Sequence, residues 1–303
     1  MIAKDKQKEN VIVYEAEHDD DGKTLRQVLE GKLDFSSRLL SKLKQSKTVF
    51  IDGQHSKYHE IVQKGNQIKI VMEEEPNHFV PQNIDLKIIY EDVDLILINK
   101  QPGIVTHPTK SHPDNTIANA VTWYLTNKGI SCKIRFVNRL DMDTSGLLII
   151  AKNPYSHHIL SKQMQQDKIK KRYIAFVWDI VENDSGKIEA PIHMPSGDSI
   201  KRVVDQKGRQ SSTEFKVLKR YKNATMLEIN LITGRTHQIR VHMSHLGHPL
   251  IGDSLYGADD IHLINRQALH ASYLSFLQPR YRNTVQVEAP LPDDLTELEK
   301  KLQ

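Results

Sequence analysis

The run Asn138-Arg139-Leu140-Asp141-Met142-Asp143-Thr144-Ser145-Gly146-Leu147-Leu148-Ile149-Ile150-Ala151 crowds three charged residues into five positions. It turns through Thr144 to Gly146 and continues as five apolar residues. A charged loop feeding an apolar strand can hold a carboxylate at a pocket rim on rigid support. The pattern also fits an ordinary surface loop in which Arg139 and Asp141 pair ahead of a core strand, and spacing alone favours that plainer interpretation. What decides between them lies elsewhere in the chain.

With 303 residues the chain has room for two domains, or for one large domain with an appendage. The formal charge is a modest +4. The single cysteine, Cys132, excludes an internal disulfide framework and a cysteine-based zinc site, and fits a reducing compartment. The polar, lysine-rich first ten residues lack the apolar core of a signal peptide, and no run approaches membrane-spanning length, so a cytoplasmic protein without membrane contact is expected.

The basic charge is clustered. Residues 23–71 hold eight Lys and two Arg against four Asp or Glu, a local excess of +6 that exceeds that of the whole chain. Strands are expected at Val11 to Tyr14, Thr48 to Ile51 and Gln67 to Val71, with an Asp52-Gly53 hairpin turn. Leu25, Val28 and Leu29 are spaced for one helix. Ser36 or Ser37 can cap a second, with Leu39, Leu40 and Leu43 on its apolar face and Arg38 and Lys42 on a basic strip. The acidic, proline-bearing stretch from Glu73 marks a linker, giving an N-terminal unit over 11–75, a linker over 76–82 and a larger domain over 83–303.

In the larger domain, strands are expected at Leu86 to Tyr90, Leu95 to Ile98, Tyr173 to Trp178, Ser212 to Leu218, Ala224 to Ile232, Leu269 to Leu277 and Val285 to Val287. Helices are expected from Asn115 or Thr116, from Asn153-Pro154 to about Met164, over Arg235 to Leu246, and from Asp293. Residues 183–186 read as a loop, and 193–210, with Gly197 and Gly208, as a long loop or loose hairpin. The basic run Lys168-Ile169-Lys170-Lys171-Arg172 fits a solvated connection, and by delivering Tyr173 into a strand it also fits what a nucleic-acid groove needs. Arg235 falls at a strand-to-helix corner.

No glycine-rich phosphate loop is present. His237, His242, His245 and His248 lie close in sequence, but without the Glu or Cys of a metal site; positions in a polar helix and its cap account for them. No metal and no cofactor are expected. Asp141, Tyr173 and Arg235, with a basic unit ahead of them, suggest chemistry on a nucleotide within RNA. A lone carboxylate can act as nucleophile or base where water is excluded and a cation keeps it ionised.

Two resemblances sharpen this. Residues 24–29, 37–43, 49–53 and 65–68 resemble the S4 RNA-binding domain. Arg139 to Leu148 closely resembles the catalytic motif of RluA-type pseudouridine synthases. So do Asn99-Lys100-Gln101-Pro102-Gly103, Lys171-Arg172-Tyr173-Ile174-Ala175 and the run from Thr233 to Met243, followed by Leu246 to Asp253, Tyr256-Gly257 and Leu269-His270-Ala271, all in family order over about residues 84–290. Asn138 departs from the pattern, since many members carry His there.

The resemblance implies an α+β catalytic domain with a mixed, largely antiparallel sheet and a central cleft, preceded by a small S4-like α/β domain. It also implies isomerisation of uridine in RNA: the N-glycosidic bond breaks, the uracil turns, and a carbon–carbon bond forms through C5. Asp141 would be the catalytic carboxylate, attacking the ribose or removing a sugar proton. Arg235 would pair with it. Tyr173 would stack on the base and could take the C5 proton, and Arg139 would fill the space left by the extruded uridine. Arg38, Lys42, Lys100, Lys170, Lys171 and Arg240 are the expected RNA contacts, Lys100 and Arg240 alternatively being structural. The expected partner is ribosomal RNA, with transfer RNA second, bound by a monomer. A catalytically inactive RNA-binding or ribosome-assembly factor is the competing reading, and a histidine-based metal hydrolase the third. Removal of residues 1–76 is expected to weaken RNA binding more than the chemical step.

Overall fold

The structure, a computed structural model, describes residues 8–73, 75–195, 200–257 and 263–303. Glu74 of the acidic run and Gly197 of the polar loop lie outside them. The N-terminal unit contains β1 (Val11–Glu15), α1 (Leu25–Gln27, continuing as a π turn over Val28–Lys32), α2 (Ser37–Ser46), β2 (Val49–Ile51), β3 (Gln54–His55) and β4 (Gln67–Val71), with sheet order β1-β4-β2-β3. Ser36 caps α2, its side chain accepting from the Leu39 amide. Asp52 and Gly53 both take left-handed backbone angles, so their two-residue turn matches the twist of β2 and β3. β3 is too short and polar to have been visible as a strand.

The rest of the chain forms β5 (Lys87–Glu91), β6 (Leu95–Lys100), α3 (Ile117–Asn127), β7 (Arg135–Phe136), β8 (Ser145–Ala151), α4 (Pro154–Gln165), β9 (Lys170–Trp178), β10 (Ser185–Glu189), β11 (Ile192–His193), β12 (Val203–Val204), β13 (Ser212–Arg220), β14 (Ala224–Leu231), α5 (Gln238–His245), β15 (Leu269–Leu277), β16 (Thr284–Glu288) and α6 (Asp293–Leu302). One ten-stranded sheet, in the order β10-β13-β14-β9-β15-β8-β6-β5, carries β16 on β15 and β7 on β8. It is the expected mixed, largely antiparallel sheet, with few helices. β10 replaces the expected loop at its start, because β13 pairs it along its whole length and overrides the turn residues Asp184 to Gly186. At the edges of the polar segment 193–210, β11 and β12 pair antiparallel, Ile192 opposite Val204 and His193 opposite Val203.

The sheet changes partners at β15. The start of that strand takes β8 in parallel, through His270 opposite Ser145 and Ala271 opposite Gly146, and the remainder takes β16. Gly146 has φ +114°, and a Cβ there would lie 2.2 Å from the Ala271 carbonyl oxygen. Only glycine permits so close a backbone approach. The loop 138–144 therefore enters the sheet at its one parallel junction among the described strands.

The N-terminal unit is not loosely tethered. Tyr155 and Ile159 of α4 belong to its hydrophobic core, with the Phe35 and Tyr155 rings 4.7 Å apart and the Tyr155 hydroxyl donating to the Leu33 carbonyl. Arg280, fully buried, pairs with Asp94 at 2.8 Å and also donates to the Val11, Lys8 and Glu9 carbonyls. The 76–82 linker is strapped along α3, where Asn77 donates to Thr122 and Asn119 to the Val80 carbonyl. Composition had marked a boundary; packing joins what it separates.

Candidate active site

The backbone around Asp141 is held from several sides. Thr106 donates to the Leu140 carbonyl, Lys100 Nζ to the Met142 carbonyl at 2.7 Å and Arg266 to the Asp143 carbonyl, while the Thr144 amide closes a turn onto the Asp141 carbonyl. Asn138, the departure from the family pattern, extends this support: its amide donates to the Leu147 carbonyl and accepts from the Ile149 amide. The side chain thus bonds β8 as a neighbouring strand would. That explains why an amide suits the position.

Asp141 lies in a cavity of about 610 Å³ lined also by Arg139, Lys171, Tyr173, Arg235, His237 and Arg240. Its Oδ2 is 3.3 Å from Arg240 Nη1. Arg240 is fixed by Asp253, fully buried, whose two oxygens each accept from it at 2.7 Å. Burial by itself lowers the guanidinium's pKa; Asp253, joined by Asp141, outweighs it and leaves the net shift upward. Arg240 is therefore a permanent cation, bidentate on one carboxylate and presenting its remaining nitrogen to another.

That arrangement corrects the expected partner of Asp141. Arg235 lines the cavity but is exposed, and its guanidinium makes no ion pair among the described residues. The helix starts later than expected, at Gln238, because the Gln238 side chain accepts from the Arg235 amide and Thr233 hydroxyl and donates to Ser212 and Thr213. Those bonds hold Thr233 to His237 as a turn, leaving Arg235 outside it. Arg240, in the first turn of α5, is buried and faces inward instead.

Tyr173 is buried in β9 between β14 and β15 and lines the cavity. Burial first, and then the Asp141 charge, push its phenol well above its ordinary pKa, so it rests protonated. A role as base at C5 needs a prior acceptor for that proton; stacking on a base does not. Lys171, two residues earlier and on the same strand face, is 6 % exposed, and among the described residues its ammonium meets the Met164 sulfur at 3.5 Å. Burial lowers its pKa, with Asp167 opposing.

Lys100 is corrected as an RNA contact. It is fully buried and donates to the Gln101, Ile104 and Met142 carbonyls. Burial pulls its pKa down to about 7, Asp143 and Asp141 opposing and Arg266 assisting. Three carbonyl acceptors match the three protons of an ammonium, so the charged form is fully hydrogen-bonded even though burial works against it. Lys42 is half-committed: its Nζ sits 2.6 Å from Glu75, which also pairs with Arg135 and Lys133. Arg38, Arg139 and Lys170 are exposed.

The histidines go to separate tasks. His242 is buried between Thr213 Oγ1 and the Ala190 carbonyl, and His248 meets the Trp178 carbonyl. His237, passed over as a cap position, stands with Nε2 at 3.7 Å from Asp141 Oδ2 and Nδ1 at 2.9 Å from the Tyr256 hydroxyl. Periodicity could not reveal it, because His237 precedes the helix in a left-handed conformation, φ 57°.

Residues 94–245 match the family model described as RNA pseudouridylate synthase. The chain is 40% identical over 258 residues to an uncharacterized RNA pseudouridine synthase of Bacillus subtilis, covering 84% of this chain and 85% of that protein. It is 37% identical over 249 residues to the ribosomal large subunit pseudouridine synthase D of Haemophilus ducreyi, covering 77% and 76%. In fold it resembles human RNA pseudouridylate synthase domain containing 1, with a TM-score of 0.58 at 24% identity over 73% of this chain and 96% of that one. The chain belongs to the RNA pseudouridine synthase family, whose members are RNA isomerases.

Proposed function

We propose that this protein converts specific uridines of large-subunit ribosomal RNA to pseudouridine, with Asp141 as the catalytic carboxylate and transfer RNA as the second substrate class. The observation that carries the assignment is the placement of Asp141: one oxygen faces an arginine locked by a buried second carboxylate, across a nucleotide-sized cavity from a buried tyrosine. Attack on the ribose and removal of a sugar proton each use one carboxylate oxygen, and Arg240 addresses only Oδ2. Tyr173 offers a flat apolar face to the extruded base, and Arg139, exposed at the rim, is free to occupy the vacated stack. The names of the relatives that carry a target support the ribosomal choice.

In this proposal residues 11–75 form an S4-like RNA-binding domain ahead of a catalytic domain over 83–303, the exposed Arg38 and Lys170 contact phosphates, and the enzyme works as a cytoplasmic monomer without a cofactor. The competing idea of an inactive assembly factor gives no reason for Asp141, Arg240, Asp253 and Tyr173 to be brought together. The test is tritium release from RNA labelled at uridine C5, with Asp141→Asn as control. Release above control is expected from ribosomal RNA lacking pseudouridine. No release from either ribosomal or transfer RNA refutes the assignment, and pseudouridine mapping in a deletion strain identifies the position.

A further inference from the structure

Among the described residues, two nitrogens address the same oxygen of Asp141: Arg240 Nη1 at 3.3 Å and His237 Nε2 at 3.7 Å each face Oδ2. We propose that His237 is a positioning residue for Asp141, fixed by Tyr256 as the neutral tautomer with its proton on Nε2, so that Oδ2 is engaged and Oδ1 is left to react. This rests on Asp141 being the catalytic carboxylate.

The tautomer follows from the partners of Tyr256. Its hydroxyl oxygen accepts the Arg202 backbone N–H at 2.7 Å, and His237 Nδ1 lies 2.9 Å away. Burial raises the Tyr256 pKa, so the phenol keeps its proton, and Nδ1 stands where that proton is donated. A ring nitrogen that accepts leaves the imidazole proton on the other, and here the other faces Asp141. The rings of His237 and Tyr256 meet edge to face, 5.6 Å apart, and Arg240 lies over the Tyr256 ring at 5.1 Å. Tyr256 thus braces both groups that address Oδ2.

The charged groups around His237 are Asp141 from the catalytic loop, Arg240 from α5, Asp253 from the segment beyond α5 and Arg202 from the segment before β12. Burial lowers the imidazole pKa most; Arg240 and Arg202 add to this, against Asp141 and Asp253, and the net direction is down. The neutral form prevails at neutral pH. At 3.7 Å the Nε2 contact is longer than a hydrogen bond, and such contacts commonly close only when substrate fills the site. The left-handed backbone at His237 is a sparsely populated state for a residue with a side chain, and here it sets the ring against Asp141. On protonation the imidazolium would hold Oδ2 as a second full cation and make the carboxylate less reactive.

Two measurements on the full chain test this. In the ¹⁵N-histidine spectrum at pH 7, His237 should show a bare Nδ1 and a protonated Nε2. In single-turnover tritium release, Tyr256→Phe keeps the ring but removes the donor to Nδ1. We expect a rate loss of about tenfold, little change in the RNA concentration for half-maximal rate, and an acid limb moved to higher pH. His237→Gln should move that limb to lower pH. An Nδ1-protonated or doubly protonated His237 at pH 7 overturns the proposal, as does a Tyr256→Phe loss equal at every pH. A parent protein that releases no tritium refutes the proposed function instead, while the spectrum still decides the tautomer.

Discussion

Replacing Asp253 by Asn tests the idea that a buried carboxylate, remote from substrate, sets the charge of the site. Asp253 has no exposed surface and makes two 2.7 Å bonds to Arg240 while accepting from the Leu255 and Tyr256 amides at 3.1 Å. Asparagine keeps the shape and one acceptor oxygen, which the backbone amides and Nη2 can still use. Its NH₂ then faces the Arg240 Nε–H, donor against donor. Removing one member of a buried pair costs about 3–5 kcal/mol. With a urea slope of about 3 kcal/mol per molar, the midpoint should fall by about 1 to 1.7 M. Arg240 keeps its charge and turns to its remaining carboxylate, so Asp141 becomes more tightly held and less reactive; a loss of tenfold corresponds to about 1.4 kcal/mol on the barrier. The assay is urea unfolding followed by circular dichroism, with single-turnover tritium release on the same preparation. Adding Arg240→Met removes the stranded cation, so the double variant should be less destabilised than the sum of the singles. An unchanged midpoint together with strict additivity would show that the two residues are not coupled as described.

Lys100 gives a pH signature. Its folded pKa, about 7, lies below the 10.5 of a free lysine, so the unfolded chain binds more protons between those values and stability rises with pH across that window, by at most about 1.4 kcal/mol per unit. Lys100→Met should flatten that rise in chemical-denaturation curves taken from pH 7 to 10; an unaltered slope would remove Lys100 as its source. Lys171, buried on the cavity wall with its ammonium on a thioether among the described residues, should meet a phosphate of the bound RNA. Lys171→Met is expected to lower the slope of log affinity against log salt by about 1, which Lys171→Arg restores; equal slopes in all three proteins would refute this. Deleting residues 1–76 should produce an unstable catalytic fragment, because it exposes Tyr155 and Ile159 and leaves the Arg280–Asp94 pair without its backbone partners. A fragment with the parent's melting temperature would show that the two units are separable after all.

The chain disclosed most where its signals were local. Periodicity and turn residues marked α2, β6, β8, α4 and β14, and capping chemistry marked α3, where Thr116 and Asn119 satisfy each other's backbone amides. The missed β10 has no local signal, since its pairing is supplied by β13 further along the chain, and β3, two polar residues, is announced only by the Asp52-Gly53 turn before it. The site divides in the same way. Asp141 and Tyr173 are written into short motifs, one entering a strand and one lying inside it. The partner of Asp141 is not, because two arginines five residues apart lie in one motif and only the turn held by Gln238 decides which faces inward. Residues whose function is to bond the backbone are illegible for the same reason. Lys100 belongs to a motif-bearing stretch and looks like a phosphate ligand, yet it spends its three protons on carbonyls; Asn138 looks like a lost histidine, yet it bonds β8 as a strand would. Around Asp141 much of the polar sequence holds the backbone still, and such residues can be told from ligands only by their burial and their partners.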